Sequence, residues 1–319
     1  MSVVCETVPM HPLVRTAAVV AGAGLAGLGY AAGIERNAFV VRRFTLPVLP
    51  AGAKPIVIVQ VSDMHLVPRQ ARKIEWVQRL ADLRPDLVIN TGDNLADLGA
   101  VPAALSALGG LLEFPGVFVL GSNDYFAPTP KNPARYLSAD YRKGLGQTSR
   151  LPTEELVTAF RAAGWHDLNN ARAVLDVGDL AVEFVGVDDP HLDYDRYAAV
   201  AGPAAYATDL FLGVCHAPYT RVLDAMTSDG VAAIIAGHTH GGQLCLPYFG
   251  ALVTNCDLDR GRAKGVSRWW PGAGGAPSSA APGDAAWLHV SAGLGTSPYA
   301  PVRFACRPEA SVLTLVPAT

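Results

Sequence analysis

The sequence has no Cys-x-x-Cys pair, and its five cysteines (Cys5, Cys215, Cys245, Cys256 and Cys306) are odd in number and irregularly spaced. That excludes a zinc finger and a disulfide framework, and it leaves most of them as small buried hydrophobes. Cysteine usage therefore does not fix the compartment. Charge is also sparse, at 17% of residues, and no basic excess exists: 25 Lys and Arg against 28 Asp and Glu give a formal net charge of −3. A general nucleic-acid binder carries a positive surplus, so no nucleic-acid partner is expected. An acidic total suits a phosphate-handling protein whose bound divalent cations supply the positive charge that the count omits. No internal repeat is present. Extended disorder is excluded by an apolar fraction of 50%, and 319 residues suffice to bury a substantial core.

One stretch lacks charge altogether. Residues 17–34 carry only Tyr30 as a weakly polar side chain, and such a run spans roughly 27 Å as a helix, near the hydrocarbon thickness of a bilayer. We read residues 1–16 as an N-terminal tail, 17–34 as a transmembrane anchor and 35–54 as a linker. A cleaved signal is the nearest competitor, but no short apolar region followed by a cleavage site stands out. Gly22, Gly24 and Gly27 fit Gly-x-Gly-x-x-Gly. No second strand ending in an acidic ribose ligand follows, so a dinucleotide-binding fold is set aside. Small residues at this spacing also suit a membrane helix. Arg36, Arg42 and Arg43 follow the segment while only Arg15 closely precedes it. This small bias points to a cytoplasmic C-terminal part without deciding the side.

Residues 55–319 read as one folded domain. Its opening run, PIVIVQV at 55–61, is a buried strand rich in β-branched residues. Helices are expected near 70–83 and 100–112, with strands at 87–90 and 117–120. This β-α-β-α-β order predicts parallel strands covered by helices. A helix over 153–163 has Thr153 as its expected N-cap and Gly164 as its stop. Residues 173–176 and 180–187 form a hairpin pair. Further short strands are expected at 212–215, 232–236, 287–291 and 311–315. Residues 126–151 read as a loop, and 271–284 as a Gly/Pro/Ala/Ser-rich surface insertion.

The chemistry sits where strands end. The early strands run into Ser62-Asp63-Met64-His65, Asn90-Thr91-Gly92-Asp93-Asn94 and Gly121-Ser122-Asn123-Asp124. Later ones run into Cys215-His216-Ala217 and Gly237-His238-Thr239-His240-Gly241-Gly242. In a parallel α/β sheet the carboxyl ends of the strands open on one edge, so these groups can converge. Carboxylates mixed with histidines suit Mn²⁺, Fe or Zn²⁺ rather than an all-oxygen calcium site. Alternate residues of an extended segment point the same way, so His238 and His240 can reach one cluster. Two neighbouring cations need a bridging anion, for which Asp93 is best placed, and such a pair acidifies water and clamps phosphate oxygens.

The order Asp-x-His, Gly-Asp, Gly-Asn-like, His, Gly-His-x-His resembles the calcineurin-like metallophosphoesterases from about residue 56 to 240, with 291–295 and 303–315 also similar. The motif at 237–243 together with Gly186-Val187-Asp188-Asp189-Pro190-His191 is similar to a membrane-associated branch that includes lipid A-pathway (UDP-diacylglucosamine) pyrophosphatase-like proteins. The resemblance implies a four-layer α/β/β/α sandwich of two mixed sheets. It implies two divalent metal ions, one held by Asp63, His65, Asp93 and His240, the other by Asp93, an amide oxygen of the third motif, His216 and His238. The implied activity is hydrolysis of a phosphodiester, phosphomonoester or pyrophosphate by a metal-activated water.

The third motif departs from the family pattern Gly-Asn-His-Asp/Glu. In strict register Ser122 replaces the amide ligand and Asn123 replaces a histidine that aids leaving-group protonation. We favour Asn123 as the ligand, since a neutral serine hydroxyl is a poor donor to a divalent metal. His191 is a candidate to compensate for the lost histidine. Asp124 can orient a neighbouring ligand, and Asn94 can touch substrate phosphate. His166 and His289 read as ordinary, partly buried histidines. Cations and aromatics at 126–151 (Lys131, Arg135, Arg142, Lys143, Arg150, Tyr136 and Tyr141) form a candidate cap over a phosphorylated small molecule or lipid. The competing reading is a metal-bound scaffold that docks a phosphorylated partner without turnover.

Overall fold

Residues 56–61 alternate their side chains between two apolar environments, and that alternation sets the architecture. Val59 and Val61 face one core cluster, whereas Ile56 and Ile58 face another. A strand buried on both faces needs a layer above and a layer below it. The computed structural model describes residues 12–130, 149–205 and 207–318.

In chain order the first strands are β1 (Val40–Leu49), β2 (Ile56–Val61), β3 (Leu87–Asn90), β4 (Gly116–Phe118) and β5 (His166–Asp167). Next come β6 (Ala171–Val177), β7 (Leu180–Gly186), β8 (Leu210–Val214) and β9 (Ala233–Ala236). The last are β10 (Cys245–Leu246), β11 (Gly250–Ala251), β12 (Gly265–Trp269), β13 (Ala286–Val290) and β14 (Glu309–Pro317). The helices are α1 (Pro12–Gly29), α2 (Ala71–Gln78), α3 (Val101–Leu108), α4 (Ser122–Tyr125), α5 (Thr153–Ala162) and α6 (Thr220–Ser228).

Two six-stranded mixed sheets result. The first has the order β1-β14-β2-β3-β4-β5, with β14 antiparallel to β2 and the other pairs parallel. The second has the order β12-β13-β9-β8-β7-β6, antiparallel at both edges and parallel within. Leu313, Ile89 and Val117 of the first sheet meet Phe184, Leu212 and Ile235 of the second in the shared core. Helices α2, α3 and α5 cover the outer face of the first sheet, and α6 covers that of the second. The expected four layers are present. Each large side chain so buried, Phe184 for example, contributes about 1.5–3 kcal/mol.

Local details differ from expectation in instructive ways. Residues 40–49, expected within a linker, form β1, which pairs along its length with β14. Arg42 and Arg43 are exposed there and Pro47 lies at a register shift, both tolerable on an edge strand. The helix at 153 has Pro152, not Thr153, at its N-cap position and no side-chain cap. The Thr153 hydroxyl instead donates to Asp124 O at 2.6 Å, so a tertiary carbonyl outcompetes the helix end. Residues 271–284 do form an exposed loop between β12 and β13, tied down where Arg262 Nε donates to Gly275 O at 2.8 Å. Most of the cationic loop, residues 131–148, lies outside the described residues.

Helix α1 continues through a wide turn at Tyr30–Ile34, so Leu13–Asn37 makes one helical stretch of 25 residues, whose most apolar 18-residue window has mean hydropathy 1.7. Its side chains are exposed, Val19 and Leu25 at 70% each. It is long and apolar enough to cross a bilayer, a test that an N-terminal signal sequence also passes.

Candidate metal centre

Strands β2, β3 and β4 run parallel; residues 62–65 and 91–94 follow directly from the carboxyl ends of β2 and β3, and 121–124 follow that of β4 after two intervening residues. Residues 215–217 and 237–240 follow β8 and β9 of the facing sheet. All five segments meet at one end of the sandwich, between the two sheets. The backbone there is unusual: Asp63, His65, Asp93, His238 and His240 have φ of 50°, 42°, 56°, 69° and 51°. Left-handed conformations are costly for residues other than glycine and concentrate at functional sites.

Asp63, His65, Asp93 and His240 form a buried cluster whose ligand atoms all lie within 4.8 Å of one another. His65 Nε2 is 3.1 Å from His240 Nε2 and 3.3 Å from Asp93 Oδ2, and His240 Nε2 is 3.5 Å from Asp63 Oδ1. A second group adjoins it through Asp93. His216 Nε2 lies 3.6 Å from Asp93 Oδ1, and His238 Nδ1 lies 3.3 Å from His216 Nε2. Asn123 donates its backbone N–H to Asp93 Oδ1 at 2.7 Å and its amide to Oδ2 at 2.9 Å.

Backbone carbonyls set the imidazoles. A carbonyl only accepts, so the ring nitrogen beside it carries the proton and the other nitrogen presents its lone pair. His216 Nδ1 is 2.6 Å from Thr91 O, His238 Nε2 is 3.2 Å from Asn255 O, and His240 Nδ1 is 3.1 Å from Gly295 O. The other three ring nitrogens, His216 Nε2, His238 Nδ1 and His240 Nε2, thus turn inward beside two carboxylates, where a bound cation would take the place of any proton on them. Carbonyl partners of this kind orient metal-ligating histidines. Lone pairs and carboxylate oxygens packed this closely repel one another unless a cation lies between them, so the donor set fits a divalent ion.

Electrostatics agree. Burial opposes the Asp93 charge, but His216, together with His65 and the Asn123 N–H, holds its carboxyl well below the usual carboxylate range. Burial pushes Asp63 up. Burial, with His191 and His216 nearby, holds His238 well below the ordinary histidine value, and burial with His65 and Arg303 does the same to His240. His216 is opposed by burial yet raised to about 9 by Asp93, Asp189 and Asp63. A pocket negative enough to charge a buried imidazole attracts cations.

The supporting residues are equally specific. Asp124 accepts from the backbone N–H groups of Asp93, Asn94 and Gly121 at 2.8, 2.8 and 3.0 Å. Burial and the Asp93 charge push its carboxyl up to about 6. Ser62 Oγ donates to Asp63 Oδ2 at 2.5 Å, and the His238 N–H donates to the same oxygen at 3.1 Å. Gly121 packs against Asp93 and His216 so tightly that a Cβ would strike both side chains. The Arg303 guanidinium, fully buried, donates to Ala292 O at 2.7 Å, Gly295 O at 2.8 Å and His240 O at 3.4 Å. Arg303 carries no local motif, and only the resemblance of residues 303–315 hinted at it.

All seven expected ligands come together. His191 stands against the second group, its ring centroid 4.7 Å from that of His238 and its Nδ1 3.1 Å from Tyr219 Oη. Asn94 points at Asp124 and Asn90 rather than at the cluster. His166 is exposed, and His289 is wholly buried against Phe44, 4.9 Å away between ring centroids. Neither belongs to the site.

The model of the calcineurin-like phosphoesterase family matches residues 56–242. The uncharacterized protein YpbG of Bacillus subtilis (strain 168) is 27% identical over 268 residues, covering 83% of this chain and 82% of its own. The uncharacterized metallophosphoesterase YkuE of the same organism is 24% identical over 313 residues, covering 93% of both. The crystal structure of TT1561 of Thermus thermophilus overlaps 76% of this chain and 91% of its own, with a TM-score of 0.36 and 10% identity.

Proposed function

Because the chain belongs to the calcineurin-like phosphoesterase family, we propose that it is a membrane-anchored phosphohydrolase working with two divalent metal ions. The observation that carries this reading is the inward turn of His216, His238 and His240, each fixed by a backbone carbonyl, around the Asp63 and Asp93 carboxylates. Asp63, His65, Asp93 and His240 would hold one ion. Asp93, Asn123, His216 and His238 would hold the other, after a half-turn of the Asn123 amide brings its oxygen inward. Bound ions of this type supply Lewis acidity toward phosphate oxygens and acidify water.

The chain's own residues do the rest. Asp93 lies between the two groups and keeps its charge. Asp124 fixes the loop that carries Asp93 and Asn123 by gathering three backbone N–H groups. Asp189 accepts from the His191 N–H at 2.9 Å and so sets where that imidazole stands. We assign His191 to a hydrogen bond with the substrate phosphate or its leaving oxygen, the part that Asn123 no longer plays.

Helix α1 supports anchoring, and residues 186–191 support the membrane-associated branch similar to lipid A-pathway pyrophosphatase-like proteins. A phosphorylated lipid or small molecule is the substrate class. The test is hydrolysis by the detergent-solubilised full chain of a diester, a monoester and a pyrophosphate, each with Mn²⁺, Zn²⁺ or Fe²⁺ and with chelator. Chelator-sensitive turnover of any one supports the reading. Folded, metal-loaded protein inert to all three supports the alternative, favoured by Asn123 in the histidine position, of a metal-bound scaffold docking a phosphorylated partner.

A further inference from the structure

Just past His240 the surface turns apolar. Residues 244–253 read LCLPYFGALV, and β10 and β11 pair within them as a short antiparallel hairpin. Cys245 and Ala251 face inward, against Ala292 and Cys306. The other large side chains face out: Leu244, Leu246, Phe249 and Leu252 are 43%, 49%, 61% and 41% exposed, and Tyr248 at the tip is exposed entirely. Tyr248 also has φ of 67°. A bulky ring in a left-handed turn gains nothing from the domain that would offset its cost. Clustered exposed apolar side chains of this kind mark an interaction surface.

The position of the hairpin indicates what covers it. Its first strand is held to residues 300–304: Cys245 N donates to Phe304 O at 2.9 Å, and Gln243 Nε2 to Ala300 O at 2.9 Å. The same segment holds the foot of the apolar helix. Arg303 N donates to Ala31 O at 3.2 Å, and the Phe304 ring meets Tyr30 edge-on at 6.3 Å. The buried Glu35 carboxylate accepts from Ala305 N at 3.0 Å and Cys306 N at 2.6 Å. Hairpin and helix foot are therefore neighbours on one short stretch of backbone. The Arg260 guanidinium lies 5.2 Å from the centre of the Phe249 ring, so the tip pairs aromatics with a cation. Aromatic rings beside basic groups are the composition of the membrane–water interface.

We propose that residues 244–253 form an interfacial hairpin that dips into the headgroup region of a lipid bilayer beside the anchor helix. This rests on the reading of α1 as a membrane anchor. Helix and hairpin give two points of attachment, which orient the domain rather than merely tether it. Because the hairpin begins a few residues after His240, the metal centre is held near the bilayer surface, where phosphate esters of lipid headgroups are presented.

The test uses the full chain in vesicles of phosphatidylcholine and phosphatidylglycerol. Tyr248→Cys carries an environment-sensitive nitrobenzoxadiazole label, Val174→Cys on the edge strand β6 carries it as a control, and labelled wild type gives the cysteine background. The expected result is blue-shifted emission at 248, quenched by spin-labelled lipid, with neither change at 174. A water-exposed signal at 248 in protein that stays with the vesicles through an alkaline wash overturns the hairpin and leaves the anchor standing. Protein that washes off overturns both. Burial of the label at 248 that follows protein concentration in lipid-free detergent also overturns the proposal, since a second copy then covers the hairpin.

Discussion

Asn123 grips both oxygens of Asp93, its backbone N–H on Oδ1 at 2.7 Å and its amide on Oδ2 at 2.9 Å. The carboxylate shared by the two ligand groups is thus held by the residue that departs from the family pattern. Ser122 Oγ, by contrast, contacts the Asn123 amide at 3.2 Å. Asn123→Ala keeps the backbone N–H on Oδ1 but removes the amide, the proposed metal ligand. We expect hydrolysis to fall about 10–100-fold, with loss of bound metal, as for other residues that orient metal ligands. Steady-state kinetics beside metal analysis checks this, and unchanged metal content would assign Asn123 to the substrate instead.

Gly121 gives a steric prediction. Its φ of −114° is open to any residue, so the demand for glycine is one of space. A Cβ there would come within 2.6 Å of His216 Nε2 and collide with Asp93 Oδ1. Gly121→Ala should destabilise the fold by about 1–3 kcal/mol, the usual cost of overpacking, and weaken metal binding. Denaturation with and without added Mn²⁺ should show a smaller metal-induced stabilisation than in wild type.

His289 predicts the acid limb of stability. Both ring nitrogens are buried without a hydrogen-bond partner among the described residues, and burial lowers the pKa from 6.5 to about 3. Between those values the unfolded chain binds a proton that the folded chain refuses, so stability rises with pH across the window and is lost as pH falls from 6.5 toward 3. His289→Leu removes this term and two orphaned polar atoms, worth about 1–3 kcal/mol. Urea denaturation at several pH values should find the variant more stable than wild type, by a margin that widens below pH 6.5. Parallel profiles would contradict the assignment.

How much of this was legible in the sequence follows from the range of each signal. The strand-end motifs could be read because a β-branched run followed by Asp-x-His or Gly-Asp is local, and parallel pairing then forces the ends together. Edge strand β1 could not, because Arg42, Arg43 and Pro47 mask a strand that one partner alone stabilises. The tautomer-setting carbonyls of Thr91, Asn255 and Gly295 were invisible, since any residue type supplies a carbonyl. Thr153 was misread for a related reason, its hydroxyl being claimed by Asp124 O, 29 residues away. The apolar run at 244–253 was not singled out, because its sequence does not say which of its side chains face outward.

Asp93, the proposed bridge between two metal ions, lies within 3.3 Å of His65 and 3.6 Å of His216. The most direct test measures bound divalent metal per chain, together with hydrolysis of bis-p-nitrophenyl phosphate, in wild type and Asp93→Asn. Wild type is expected to hold close to two ions per chain and to show chelator-sensitive turnover, and the folded variant to lose much of both. A variant that keeps its metal and its turnover would contradict the bridging role.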